Sequence, residues 1–188
     1  MENCNIIFVD EKYREQYFDF LSECADDIRA RKFDYYIPIS NIDTFDSDIK
    51  KLKNFREGRD LPEGWVPASV YWLISENNNR IIGVVTIRHD LAGYLHFRGG
   101  HISYYIRPSE RKKGYATKLL SLALEKSREL KLDKVMITCA KDNVGSARTI
   151  QKNGGVLHSE DVEEGEVFQR YWIKINSGPG PLAGEAKI

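Results

Sequence analysis

Residues 101–140 constrain the fold more than any other part of this chain. An apolar, β-rich run over residues 101–107 is stopped by Pro108, which has no amide to give to a ladder. Residues 115–130 then repeat apolar side chains at helical spacing, placing Ala116, Leu119, Leu120, Ala123 and Leu130 on one face. A second apolar run, Lys134–Ala140, has the character of a buried strand. Strand, helix and strand in this order form a crossover long enough to lay the two strands parallel. The helix opens directly after a basic turn, Arg111-Lys112-Lys113-Gly114. Open amides at a helix start carry partial positive charge, so this turn reads as an anion site, with Gly114 and Ala116 small enough to admit phosphate oxygens to the backbone.

The rest of the chain supplies elements to pack around that unit. Residues 5–9 predict a strand, and residues 11–30 a helix whose apolar face holds Tyr13, Tyr17, Phe18, Leu21, Ala25 and Ile28. Residues 43–55 predict a more charged helix, ended by the two prolines and the glycine of residues 61–67. Residues 69–75 and 80–88 are rich in β-branched and aromatic side chains and read as a hairpin. Residues 146–152 predict a helix closed by Asn153, Gly154 and Gly155, and residues 156–159 and 167–175 a closing antiparallel hairpin. With 188 residues and no internal repeat, one domain over residues 1–175 is expected. The Gly, Pro and Ser-rich residues 176–188 read as a disordered tail.

Charge is balanced overall, with 28 basic and 28 acidic residues, which implies no general attraction to nucleic acid or to an anionic membrane. Locally it is not. Residues 1–60 carry 14 acids against 10 bases, whereas residues 107–134 carry 9 bases against 4 acids. The basic segment again points to a bound anion, and the acidic one reads as an ordinary solvated helical face. Cys4, Cys24 and Cys139 are odd in number and unpaired in spacing, which suits a reducing cytoplasm and excludes a disulfide framework. Cys139, in an apolar strand, reads as an inert thiol. His89 and His96 lack metal-ligand spacing, and no metal is expected. The N-terminus has no signal-peptide pattern, and no apolar run is long enough to span a bilayer.

Arg111-Lys-Lys-Gly114-Tyr-Ala116 resembles the (Arg/Gln)-x-x-Gly-x-(Gly/Ala) motif of the GNAT superfamily of acetyl-CoA-dependent N-acetyltransferases, in the same setting between strand and helix. Residues 142–154, with Asn143, Ser146, Lys152 and Gly154, resemble the segment that follows the next strand in that family. The likeness extends over residues 69–175. It implies an α+β fold: a mixed, mostly antiparallel sheet of six or seven strands, a splayed central parallel pair and helices on both faces. Residues 1–66 would hold the family's variable, substrate-side helices.

The same resemblance implies the site. Tyr105, Ile106 and Arg107 would offer backbone groups to the pantetheine arm of acetyl-CoA. Its pyrophosphate would sit on Arg111, Lys112, Lys113, Gly114, Tyr115, Ala116 and Thr117, with Asn143 and Ser146 near the thioester. A backbone amide at the splayed strands would hold the oxyanion. Two family side chains are replaced: Ile150 stands where many members have a tyrosine acid, and Thr138 where a glutamate is common. His101, Ser103, Tyr104 and Ser146 are the nearest polar candidates for catalysis, beside proton transfer through water. The acceptor would be a small-molecule or peptide amine, including a protein N-terminus or lysine. An inert acyl-CoA sensor and a homodimer are the open alternatives.

Overall fold

The computed structural model describes residues 2–31 and 43–175; the tail expected from residue 176 lies outside them. Among the described residues seven strands and four α-helices follow in the order β1 (Cys4–Phe8), α1 (Arg14–Arg31), α2 (Phe45–Arg56), β2 (Ala68–Ser75), β3 (Ile81–Arg88), β4 (Ile102–Ile106), α3 (Tyr115–Glu129), β5 (Lys134–Ala140), α4 (Val144–Lys152), β6 (Val156–Glu163) and β7 (Glu166–Lys174). The architecture is α+β, mostly antiparallel, as the sequence implied. It is divided: β1-β2-β3-β4 form one antiparallel sheet and β5-β7-β6 another.

The expected splay lies between β4 and β5, and it is wide enough that the two strands share no ladder. Among the described residues the backbones of the two sheets join only where the chain enters β4. There Gly100 bridges Ile137, the His101 amide donates to the Met136 carbonyl at 2.7 Å, and the Gly99 amide to Thr138 Oγ1 at 3.1 Å. Gly100 is required at this crossing. Its φ is +69°, and a Cβ there would lie 2.3 Å from the Met136 carbonyl oxygen.

Period-two alternation sends each strand's apolar residues to two cores. Tyr71 and Leu73 of β2 face α3 and α4, with Leu119, Leu120 and Ala123 of α3, Ile150 of α4 and Val135 and Ile137 of β5. Val70, Trp72 and Ile74 face the other way, against Tyr17, Phe20 and Cys24 of α1 and Phe45, Ile49 and Leu52 of α2. Tyr17 stacks on Trp72 with ring centroids 4.9 Å apart. Helices therefore cover both faces of the first sheet.

The acidic first third is not simply a solvated face. Asp19, Glu23 and Asp27 recur at a spacing of four along α1, so they form one stripe, and that stripe meets arginines from the sheet. Arg107 is 1% exposed; its Nε donates to Glu23 at 2.7 Å, and its Nη1 to Asp19 and to the Ile81 carbonyl, both at 3.0 Å. Arg80 reaches Glu23 at 3.1 Å and Glu110 at 2.7 Å. The Ser109 amide also donates to Glu23, at 2.7 Å. Arg111 pairs with Asp27.

Burial tends to raise the Glu23 carboxyl, but hydrogen bonds from Arg107 and Ser109 outweigh it and bring the group down to about 2 from 4.5. A lowered folded-state value adds stability above the unfolded value that disappears as pH falls through the folded one. Glu23→Gln is expected to lose about 3 kcal/mol at pH 7, since it removes one of the two carboxylates that meet the buried Arg107 charge. In urea denaturation the gap between variant and parent should close as pH drops from 4.5 towards 2; a gap that persists unchanged at the acid end would contradict this account.

Candidate active site

The chain leaves β4 through Pro108–Glu110, a single 3-10 turn, and then adopts the backbone an anion cradle needs. Arg111 is extended, Lys112 is left-handed at φ +60°, and Gly114 is left-handed at φ +91° as the residue that caps α3. No side chain caps α3, and its first turn holds no acid. The first amide bonded within the helix is that of Lys118, which donates to the Gly114 carbonyl at 3.2 Å. The amides of Tyr115, Ala116 and Thr117 are thus the open donors of the helix start.

The cations around this turn are less available than the sequence suggested. Arg111 donates its Nε to the Ile106 carbonyl at 3.0 Å, pairs with Asp27 and lies over the Tyr105 ring, 5.1 Å from its centroid. Lys113 bonds Glu110 at 3.1 Å. Among the described residues Lys112 alone of the three has no ion-pair partner. Arg111 therefore shapes the turn, and the groups it leaves open are the helix-start amides and Lys112. Tyr115 can contribute only its backbone, because its ring is buried in the core beneath α3.

The edge of β4 that faces the gap is set by strand parity. The His101 carbonyl accepts from the Arg88 amide and the Arg107 amide donates to the Ile82 carbonyl, so from Ser103 onward the odd-numbered residues spend their backbone on β3. Tyr105 and Arg107, expected to meet the pantetheine arm, are turned away from it. Ile102, Tyr104 and Ile106 lie on the edge that faces the gap, where the Ile106 carbonyl already accepts from Arg111.

Tyr104 and Ser146 come together across the gap, with 2.8 Å between the phenolic oxygen and Ser146 Oγ. Asn143 caps α4, its Oδ1 accepting from the Ser146 amide at 3.1 Å, which leaves its NH₂ for a ligand. At the far end of α4, Asn153 donates to the Thr117 carbonyl at 3.3 Å and ties that helix to the cradle. Burial raises the Cys139 thiol to about 11, so it stays protonated as expected.

His101 does not join this group as a base. Its Nδ1 accepts from the Met136 amide at 2.9 Å, which puts the ring proton on Nε2 and leaves no free lone pair. Burial brings its pKa down to about 4, so the neutral ring rivets the two sheets. Thr138 and Ile150 are likewise structural: one accepts from Gly99, the other is fully buried beneath Gly155. What sequence reasoning missed is the positioning role of Asp19, Glu23 and Asp27. Its trace was the four-residue spacing of acids opposite a basic segment.

Residues 13–156 match the acetyltransferase (GNAT) domain family. No curated protein sequence matches the chain significantly. Among solved structures, the ribosomal-protein-S5-alanine acetyltransferase from Vibrio fischeri is similar with a TM-score of 0.71 at 13% identity, over 94% of this chain and 96% of that one. The microcin C7 self-immunity acetyltransferase MccE, in complex with acetyl-CoA and AMP, gives 0.66 at 17% identity over 93% and 94%. Spermidine N-acetyltransferase from Vibrio cholerae, in complex with CoA and spermine, gives 0.63 at 18% over 91% and 95%. At these identities the structures establish the shared fold. Because the family match takes in most of the chain, from the turn before α1 to the first residue of β6, this protein belongs to the GNAT family of acetyltransferases.

Proposed function

We propose that the protein transfers acetyl from acetyl-CoA to a small-molecule or peptide amine, by direct attack within a ternary complex. The observation that carries this reading is the uncapped start of α3 tied through α4 to the Tyr104–Ser146 pair. Acetyl-CoA, the co-substrate, supplies an acetyl group activated as a thioester.

The open amides of Tyr115, Ala116 and Thr117, with Lys112, suit a pyrophosphate. The gap-facing backbone of Ile102, the Ile106 amide and the Asn143 amide suit the pantetheine arm. One amide of this edge holds the oxyanion as the amine nitrogen bonds to the carbonyl carbon. When the carbon–sulfur bond breaks, the Tyr104 hydroxyl gives its proton to the departing thiolate, steadied by Ser146. Thr138 and Ile150 cannot take the amine's proton, so it leaves through ordered water. Three buried, unpaired thiols suit a cytoplasmic setting. No helix among the described residues is long and apolar enough to cross a membrane.

Free-thiol release from acetyl-CoA, assayed with amino acids, arylalkylamines, polyamines, aminoglycosides and peptides, is expected to show turnover with at least one class. Tight cofactor binding with no turnover across that panel would favour the inert sensor, which the replaced tyrosine and glutamate otherwise support. Tyr104→Phe should lower kcat by about 10- to 100-fold with the KM for acetyl-CoA unchanged, as loss of a general acid requires.

Gly114→Asp should weaken coenzyme A binding by at least about 100-fold in calorimetry, through charge repulsion and a blocked backbone approach. Gly114→Ala, which carries the backbone strain without the charge, should bind more tightly than the Asp variant. Equal affinity in the two would remove the cradle from consideration.

A further inference from the structure

A second concave feature lies across the sheets from the cradle. It is a groove of about 400 Å³ between the Gly93–His96 turn and the β5-β7-β6 sheet. Met136 and Trp172, paired across β5 and β7, form its floor, and His96, Phe97, His158 and Arg170 complete the wall. Their neighbours Val135, Ile137, Tyr171 and Ile173 point into the α3–α4 core, so alternation puts the groove on the opposite face. The groove ends at the join between the sheets. His101 contacts Trp172 edge-on at 6.1 Å between centroids, and it is the Met136 backbone that His101 bonds.

Along β4 from His101, on the same face by parity, stands Ser103. Its hydroxyl is buried and has no hydrogen-bond partner. An unsatisfied buried hydroxyl is costly, and a ligand amine at that point would satisfy it. Tyr104 is the next residue, on the gap side of the same strand. Along the strand His101 and Tyr104 are roughly 10 Å apart at about 3.3 Å per residue, and the Tyr104 side chain turns to the α3–α4 face, so an acceptor amine would meet it through the gap between β4 and β5.

The groove's chemistry selects what travels that path. No aspartate or glutamate lines it. Arg170 is fully engaged, donating to Ser159 at 3.0 Å, to the Phe97 carbonyl at 2.8 Å and to Asp161 at 2.9 Å. At the groove's end Lys134 and Lys174 face each other across β5 and β7, both exposed and, among the described residues, without a carboxylate partner. Lys134 Nζ lies 4.5 Å from the Trp172 ring centroid. A polycation finds no counter-charge here, whereas an aromatic body finds an indole and a thioether, and an anionic group finds two ammonium ions.

We infer that this groove is the acceptor site, and that the acceptor is an amine carried on an aromatic or apolar body that also bears an anionic group, not a polyamine. The inference rests on the acetyltransferase reading for the fate of the amine, but the recognition itself is independent of turnover. It is tested with L-phenylalanine, 2-phenylethylamine, which lacks the carboxylate, and spermidine.

Binding is followed by NMR shifts of the Trp172 indole, and turnover by thiol release. L-phenylalanine should bind at least tenfold more tightly than 2-phenylethylamine, and spermidine should leave the indole signal unmoved. Trp172→Ala should weaken L-phenylalanine at least tenfold, with coenzyme A affinity within twofold. Lys134→Glu combined with Lys174→Glu, both exposed, should abolish the preference for the carboxylate without disturbing the fold. Spermidine binding tighter than L-phenylalanine, or variants that leave acceptor affinity unchanged, would overturn the inference. Groove binding as described without any acetyl transfer would uphold the groove's selectivity and sink the acetyltransferase reading instead.

Discussion

Arg107 is the constraint on which the working part of this molecule rests. A guanidinium with 1% exposure is tolerable only if every side of it is met, and Glu23, Asp19 and the Ile81 carbonyl meet it. Two of those partners belong to α1, so the charge cannot be satisfied until the first helix lies on the sheet. Glu23 at the same time accepts from Ser109, and Asp27 holds Arg111. The docking of one helix therefore fixes both ends of the turn before α3. That the turn has a defined shape follows from electrostatics placed far away in sequence.

The second determinant is an interaction that is not made. β4 and β5 are joined at Gly100, His101 and Met136 and nowhere further along. Beyond that join, the even-numbered residues of β4 have backbone groups with no strand to receive them. In a closed sheet a neighbouring strand would pair them; at an open cleft they are a ready edge for a ligand that brings its own amides. The rivet that starts the divergence is a neutral histidine, which can accept from the Met136 amide because burial keeps it uncharged.

Much of this was legible in the residues. The strand, helix, strand unit of residues 101–140 and both hairpins follow from periodicity, β-branching and prolines, and the observed bounds differ from the expected ones by a few residues. β6 is the main exception: it continues past the expected end at residue 159 to Glu163, because β7 pairs with the acidic residues that follow. The open helix start was visible because local backbone chemistry makes it, in a glycine followed at once by a helix. The roles of Arg107, Arg111 and His101 were not visible, since each depends on what another segment brings to it. An arginine beside a glycine turn reads the same whether it awaits a phosphate or is already held by an aspartate 84 residues earlier.

The sequence by itself determined the elements, the uncapped helix start and the family, because these are properties of neighbouring residues and of spacing along one segment. The tertiary structure alone decided which cations are spent, which edge of β4 faces the gap, that Tyr104 meets Ser146, and that a carboxylate-free aromatic groove lies behind the join. Those are outcomes of long-range pairing: strand parity, helix docking and charge satisfaction are set in three dimensions, where residues distant along the chain compete for the same partners.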